Sequence, residues 1–315
     1  MESGRELFRK FLNREPLSRP AFVPMIRGLL SRVEGMPMET LTSDPTLWAN
    51  SLMKTAKLFG FDGVVAGLDF SLMAEACGCG IIWKNDRPTV MPPKSGLSEA
   101  PEQSERMKHA LEATRRLFEV CRPNLACVSA LTGPVTLASQ LFGREEGPNH
   151  IGEVKQLVVQ VAEAFCKTGP DILLFLEGRP LALAEPSATH RRIYNTLKNI
   201  ASYYNISVGL YLQGYRSQSI SDFTKLKMDI YIMGPSLNKN LPSLSEMWNL
   251  GEETLGVGIG LPLDDLEKAK EIIHDGLRLY RDKAERGFFF TSFGPATREV
   301  NLETLHELVN QISNL

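Results

Sequence analysis

The chain has 315 residues, 43% of them hydrophobic and 23% charged, with a formal net charge of −2. That is long enough to bury a large core, and the absence of a basic stripe or Lys/Arg run gives no reason to expect a nucleic-acid or anionic-membrane partner. The start, Met1-Glu2-Ser3-Gly4-Arg5-Glu6, carries acids and no apolar stretch, so no signal peptide is expected. No segment approaches the roughly 18 apolar residues of a membrane span, and a cytoplasmic protein is the expectation. The five cysteines, Cys77, Cys79, Cys121, Cys127 and Cys166, are odd in number and scattered, which does not suit a disulfide framework. Cys77-Gly78-Cys79 lacks a second Cys or His pair at zinc-site spacing.

Short apolar runs alternate with helical patterns along the chain. Phe22–Ile26 reads as a strand, followed by a long loop over 27–43. A helix over Thr46–Phe59 starts after Asp44-Pro45, and Gly63–Leu68 is the second strand. Residues 79–93 read as an inserted hairpin. Then come helix Glu102–Val120, strand Ala126–Ala130, helix Glu153–Thr168 and strand Asp171–Leu176. The pattern continues with helix Thr189–Tyr204, strand Ser207–Leu212, a short helix Ser219–Lys225 and strand Asp229–Met233. Helix Leu244–Leu250, strand Gly256–Gly260, helix Asp264–Arg286, strand Phe288–Ser292 and helix Asn301–Ile312 complete it, with Asp264 and Glu267 spaced as a capping box. Most of the strand runs are continuously apolar, as parallel strands covered on both faces should be. The expected fold is α/β: a single-domain (β/α)8 TIM barrel with a hairpin insertion after strand 2. An open doubly wound sheet is the alternative, and the Gly-rich phosphate loop it would normally show is absent.

In such a barrel the site is built just past the C-terminal ends of the strands. Those positions offer Met25, Arg27 and Arg32 after strand one, and Asp69 and Glu75 after strand two. Later ends offer Glu177, Tyr211, Gln213, Met233, Ser292 and Phe293. Glu177 ends the run Ile172–Leu176, where a part-buried carboxyl would gain proton affinity and suit a general acid or metal ligand. The alternative is an ion pair with Arg179 or another base at the rim. Arg27 and Arg32 suit a substrate carboxylate or the exposed loop. Tyr211 and Gln213 share a strand face and either enter the site or fill the barrel. Of the histidines, His109, His274 and His306 fall on helices and His150 opens one, leaving His190, at the start of the helix after strand four, as the candidate for a proton or metal role.

Four stretches resemble the uroporphyrinogen decarboxylase superfamily. Phe11–Pro20 with Val23-Pro24 is similar to its G-x-x-P-D-R-P-P-V opening, and Leu131–Ala138 closely matches its G-P-[WF]-T-L-A segment. Ala74–Cys79 looks like the E-A-E-x-x-G stretch of the corrinoid-dependent methyltransferase branch, and Asn301–Leu305 resembles the closing P-x-E-N-[LI] helix. The resemblance implies a (β/α)8 barrel. The decarboxylases' R-Q-A-G-R loop is replaced by Ile26-Arg27-Gly28-Leu29-Leu30-Ser31-Arg32. The zinc methyltransferases' H-x-C-G is replaced by Tyr211-Leu212-Gln213-Gly214, and Thr291–Pro295 holds no second cysteine.

The resemblance therefore implies a corrinoid-dependent methyltransferase without the thiol-activating zinc set. It would move a methyl group from a small O-methylated, methoxyaromatic-type substrate to the cobalamin of a separate corrinoid protein, with any metal of its own unspecified. Glu177, His190 and Tyr211 would be catalytic; Met25, Arg27, Asp69, Glu75, Gln213, Met233, Ser292 and Phe293 would bind substrate. A homodimer is allowed. The alternatives are a decarboxylase of the same superfamily and a barrel that binds a ligand without turnover.

Overall fold

The strands are β1 (Gly63–Ala66), β2 (Gly80–Lys84), β3 (Arg87–Met91), β4 (Ala126–Thr132), β5 (Ile172–Glu177), β6 (Ser207–Leu212), β7 (Ile230–Met233), β8 (Gly256–Leu261) and β9 (Gly287–Ser292). β1 and β4 to β9 form one parallel seven-stranded sheet in the order β1-β4-β5-β6-β7-β8-β9, and β2 and β3 form a separate antiparallel hairpin. The computed structural model describes residues 2–93, 96–178, 186–250, 254–282 and 287–315, less the side chains of 217–219 and 282.

The predicted first strand closes this sheet. Segment 22–26 makes parallel bridges at Phe22–Phe290 and Ile26–Ala296, and the Val23 N–H donates to the Phe290 carbonyl at 2.8 Å. On its other side the Asp62 N–H donates to the Phe22 carbonyl at 3.0 Å, one residue before β1. The Asp62 carboxylate also accepts from the Phe22 N–H at 2.7 Å and from both guanidinium nitrogens of Arg19 at 2.7 and 2.8 Å. Eight parallel segments therefore ring one axis, as the sequence predicts.

Side-chain alternation divides the strands cleanly. Val65, Val128, Ile172, Leu174, Ile232 and Phe289 point to the axis and leave a void of only about 10 Å³, at the lower limit for one water. Leu173, Phe175, Leu210, Tyr231, Phe288 and Phe290 belong to the outer core under the helices. Both faces are apolar, which is why the strand runs read as continuous.

The helices are α1 (Gly4–Leu12), α2 (Gly28–Glu34), α3 (Met38–Leu41), α4 (Pro45–Phe59), α5 (Leu72–Ala76), α6 (Glu105–Cys121), α7 (Pro134–Phe142), α8 (Ile151–Cys166), α9 (Ala188–Tyr203), α10 (Leu244–Leu250), α11 (Leu266–Asp282) and α12 (Leu302–Ser313). Five details differ from the sequence expectation, one being α7, a helix that expectation did not include. The loop over 27–43 contains α2 and α3, because Leu29 and Leu30 find buried positions and Gly35 ends α2 at φ 66°. An unanticipated helix, α1, is opened by a Ser3–Glu6 capping box and sets Phe8 and Phe11 against Phe289 at the base of the barrel. Asp265, not Asp264, caps α11, accepting from the Lys268 N–H at 3.1 Å. The short helix near 219–225 is a 3-10 helix, Ser217–Leu226. The end of the predicted helix Asp264–Arg286 lies outside the described residues. No helix among the described residues is long and apolar enough to cross a membrane.

The hairpin turns at Asn85 and Asp86 with φ of 49° and 60°, the left-handed pair that a two-residue hairpin turn requires. Its tip is fastened: Asp86 accepts from Ser31 Oγ at 2.6 Å and from the Met38 N–H at 2.8 Å. All five cysteines are buried free thiols. Burial pushes Cys77, Cys127 and Cys166 up to about 12, so they are inert core residues.

Candidate functional site

Past β1 the chain makes a tight turn at Gly67, with φ 72° and the Asp69 N–H donating to the Gly67 carbonyl at 2.7 Å. The turn delivers Asp69, 2% exposed, to the mouth of the barrel. Asp69 Oδ1 accepts from the Ser71 N–H at 2.9 Å and the Ser71 hydroxyl at 2.7 Å. Asp69 Oδ2 pairs with Arg27 Nη2 at 3.4 Å and with Arg106. Arg106 also pairs with Glu75. Both guanidinium groups lie over the Trp83 ring of β2, 5.5 Å away for Arg27 and 5.1 Å for Arg106. Arg27 Nη1 donates to the Asp86 carbonyl at 3.0 Å, while its buried Nε has no hydrogen-bond partner. Burial works to raise the Asp69 carboxyl, but Arg27, Arg106 and Ser71 outweigh it and hold the group below the usual carboxylate range.

Three predicted residues, Arg27, Asp69 and Glu75, thus meet in one charge-balanced cluster. Arg106 was missed because it sits inside a helical pattern. A signal existed: a cation in the first turn of α6, after Ser104 and Glu105, opposes the helix dipole, which points to a partner elsewhere. Arg32 does not join. It donates to the Arg298 carbonyl at 3.3 Å and to the Val300 carbonyl, away from the cluster.

Tyr211 points inward from β6, packs with Leu68, Leu176 and Met25, and is fully buried. Its hydroxyl lies 3.2 Å from the Phe293 carbonyl and 3.3 Å from Gln213 Oε1. Gly234 makes room, since a Cβ there would fall 2.3 Å from that hydroxyl. Burial pushes the phenol well above its ordinary value, so it stays a neutral donor. Tyr211 and Gln213 share a face, as their spacing implies, and Phe293 stands half-buried beside them.

Four other expectations are corrected. Met25 belongs to the barrel-axis core, where it is 1% exposed. Met233 alternates outward with Tyr231 into the core beneath the helices and does not reach the mouth. Ser292 Oγ accepts from the Met25 N–H at 2.9 Å, so its hydroxyl helps close the barrel.

Glu177 is the largest correction. Ile172, Leu174 and Leu176 face the axis, so parity turns Glu177 outward to the helix layer, fully buried. It sits on the N-terminus of α7, accepting from the N–H groups of Val135 at 3.0 Å and Thr136 at 2.8 Å. The Thr136 hydroxyl donates at 2.5 Å and Tyr194 donates as well. Gly133 is obligatory, because a Cβ there would lie 2.3 Å from the carboxyl group. Burial raises the Glu177 carboxyl above its ordinary value, and these donors oppose the rise. The Gly133-Pro134-Val135-Thr136 motif is thus a cradle for this carboxylate. The proposed partner Arg179 lies outside the described residues.

His190 is 5% exposed and caps its own helix. Nδ1 accepts from the Ser187 N–H at 3.0 Å, which places the ring proton on Nε2. Nε2 is buried without a hydrogen-bond partner, and burial pushes the ring below its ordinary proton affinity. No contact joins His190 to Tyr211 or to the Arg27–Asp69 cluster among the described residues. His274 and His306 are exposed, while His109 and His150 are half-buried; His306 lies tilted against Phe59 and His150 stacks on Phe142, with ring centroids 4.5 and 4.6 Å apart. Among the described residues no three His, Cys, Asp or Glu side chains are grouped so as to hold a metal ion.

The family model described as uroporphyrinogen decarboxylase matches residues 3–168. No curated protein matches the chain. A methyltransferase from Methanosarcina mazei has a similar structure, with 18% identity, 100% of this chain and 99% of that chain covered, and a TM-score of 0.78. A B12-independent methionine synthase from Shewanella sp. W3-18-1, in complex with selenomethionine, is also similar, at 16% identity, with 85% and 86% of the chains covered and a TM-score of 0.55. At these identities the likeness is one of fold.

Proposed function

Because this chain belongs to the uroporphyrinogen decarboxylase family, we propose that it is a methyltransferase of that family, working at the mouth between Tyr211, Gln213 and the Arg27–Asp69–Arg106 cluster. The methyl group passes from the oxygen of a small O-methylated compound to a corrinoid carried by a partner protein, which supplies the nucleophile. The breaking C–O bond leaves its electron pair on the oxygen. The chain's task is then to orient the donor, exclude water and stabilise that oxygen. Tyr211 is a neutral donor whose single proton goes to Gln213 Oε1 or the Phe293 carbonyl; as the substrate enters it exchanges that acceptor for the departing oxygen.

The observation that carries this reading is the charge balance of the mouth. Arg27 and Arg106 are matched by Asp69 and Glu75, and Arg32 is engaged elsewhere. Among the described residues such a site has no surplus cation for a polycarboxylate tetrapyrrole, whereas methyl transfer from a neutral ether asks for none. The thiol-activating zinc set does not fit: Tyr211 and Gln213 are hydrogen-bonded to each other and neither is a thiolate or imidazole.

The test is spectroscopic. Reduced cobalamin, incubated with the protein and a panel of methoxylated compounds, should convert to methylcobalamin. Release of carbon dioxide from uroporphyrinogen, with no methylation of cobalamin by any donor, would replace this reading by decarboxylation.

A further inference from the structure

The hairpin β2–β3 has two unlike faces, because both strands alternate between exposed and half-buried residues. On the inner face Trp83 and Val90 pack against the core, and the Trp83 ring lies under the guanidinium groups of Arg27 and Arg106 at the mouth. The outer face is built from the register pairs Gly80–Met91, Ile82–Thr89 and Lys84–Arg87, whose side chains share one side of the ribbon. Ile82 is 55% exposed and Met91 43% exposed. They stand diagonally across the two strands, within side-chain reach of each other. Among the described residues no third strand joins this ribbon.

One end of that face is cationic. Lys84 and Arg87 are exposed and directly opposite each other, and neither makes an ion pair among the described residues. The acids near them are engaged elsewhere. Asp86 is taken up by Ser31, the Met38 N–H and Arg298. Glu299, which feels the charge of Arg87, is also held by Thr297 and Arg298. Like charges set directly opposite each other destabilise a ribbon. This pair therefore works against the hairpin's own stability, and an anionic neighbour would relieve it. Exposed apolar groups beside unmatched cations are the makings of an interface with an acidic protein surface.

We propose that the outer face of the hairpin is the docking surface for the protein that carries the methyl acceptor. Acidic side chains of that partner meet Lys84 and Arg87, and an apolar contact covers Ile82 and Met91. The inference rests on the methyl-transfer reading: a protein-borne acceptor has to reach the mouth, so its carrier must rest on the rim, where Trp83 fixes the hairpin. The test compares two acceptors on the full-length protein with a methoxylated donor. One is free reduced cobalamin. The other is a corrinoid protein purified, by its cobalt-corrinoid absorbance, from the cells that make this chain. Methyl transfer is followed by the absorbance change of the corrinoid.

In the double variant Lys84→Glu/Arg87→Glu and in Ile82→Asp, KM for the corrinoid protein should rise at least about ten-fold with kcat nearly unchanged. The rate with free cobalamin should stay within about two-fold of wild type, which also shows that the variants are folded. Added salt should raise the wild-type KM for the corrinoid protein and leave that of the double variant flat. An unchanged KM in both variants overturns the docking surface alone. So does a loss equal for the two acceptors, which places the damage at the mouth, and so does a corrinoid protein that serves no better than free cobalamin. A wild-type dimer that Ile82→Asp splits overturns it too, by giving the face to a second copy of the chain. Failure of the wild-type chain to methylate either acceptor removes the methyl-transfer reading itself, and this proposal with it.

Discussion

Tyr211 shows how much a single residue's role depends on its surroundings. In water its phenol would be an ordinary weak acid, while buried behind Gly234 it is held neutral with its proton between two acceptors. Tyr211→Phe keeps the ring and removes only the donor. If this donor stabilises the leaving oxygen, kcat for methylcobalamin formation should fall by about 100-fold with KM nearly unchanged. His190 gives a prediction about stability. Its proton affinity in the folded protein lies below the unfolded value of about 6.5, so the unfolded chain binds the extra proton first as pH falls. The stability it contributes is complete above that value and declines as pH drops towards the folded one. Urea melts at pH 7.5 and about pH 5.5 should show that loss, and His190→Gln should reduce it. Residue identity was legible at Arg27, Asp69, Glu75, Tyr211 and Gln213, where the strand-end rule points to the mouth. Met233 and Ser292 obey the same rule on paper, but their parity or backbone contacts direct them elsewhere.

Between elements, Glu177 acts as a fastening. It joins the end of β5 to the first turn of α7 and, through Tyr194, to α9. Replacing it with Gln puts an amide N–H group among N–H and O–H donors. Glu177→Gln should therefore destabilise the fold by about 2–4 kcal/mol, seen as a lower urea midpoint. A variant with unchanged stability and abolished methyl transfer would restore a chemical role. The regular strand–helix alternation was legible because each apolar run and each capped helix carries its own period. The orientation of Glu177 was not, because apolar residues on both faces of β5 hide which set faces the axis. The helices within 27–43 were missed for a related reason, since one of them is only four residues long. The hairpin at 79–93 was legible, but not the fastening of its tip by Ser31 and Met38, which comes from segments remote in sequence.

At the scale of the whole molecule, the ring closes where segment 22–26 meets its neighbours. Regular pairing is thinnest there, with isolated bridges on one side and Asp62 on the other. Arg19 and Asp62, each with a side chain 10% exposed, bind in two-pronged fashion, and the Asp62 carboxylate also accepts from the Phe22 N–H. Asp62→Ala should cost about 2–4 kcal/mol, and hydrogen exchange should quicken first at Phe22 and Val23. Unchanged protection there would mean that packing alone seals the ring. The sequence marked this segment as a strand but not as the weakest seam, because a seam is a property of pairing between the two ends of the fold.

The nearly filled axis has a kinetic corollary. With Val65, Ile232, Phe289 and their neighbours leaving only about 10 Å³ along it, no reactant travels through the ring from below. A donor molecule and a bulky acceptor protein would share one doorway, and whichever is larger would bar it. Turnover by such a catalyst is expected to follow a compulsory sequence, with the small compound entering first. An excess of the acceptor protein should then slow the reaction by shutting out the next donor.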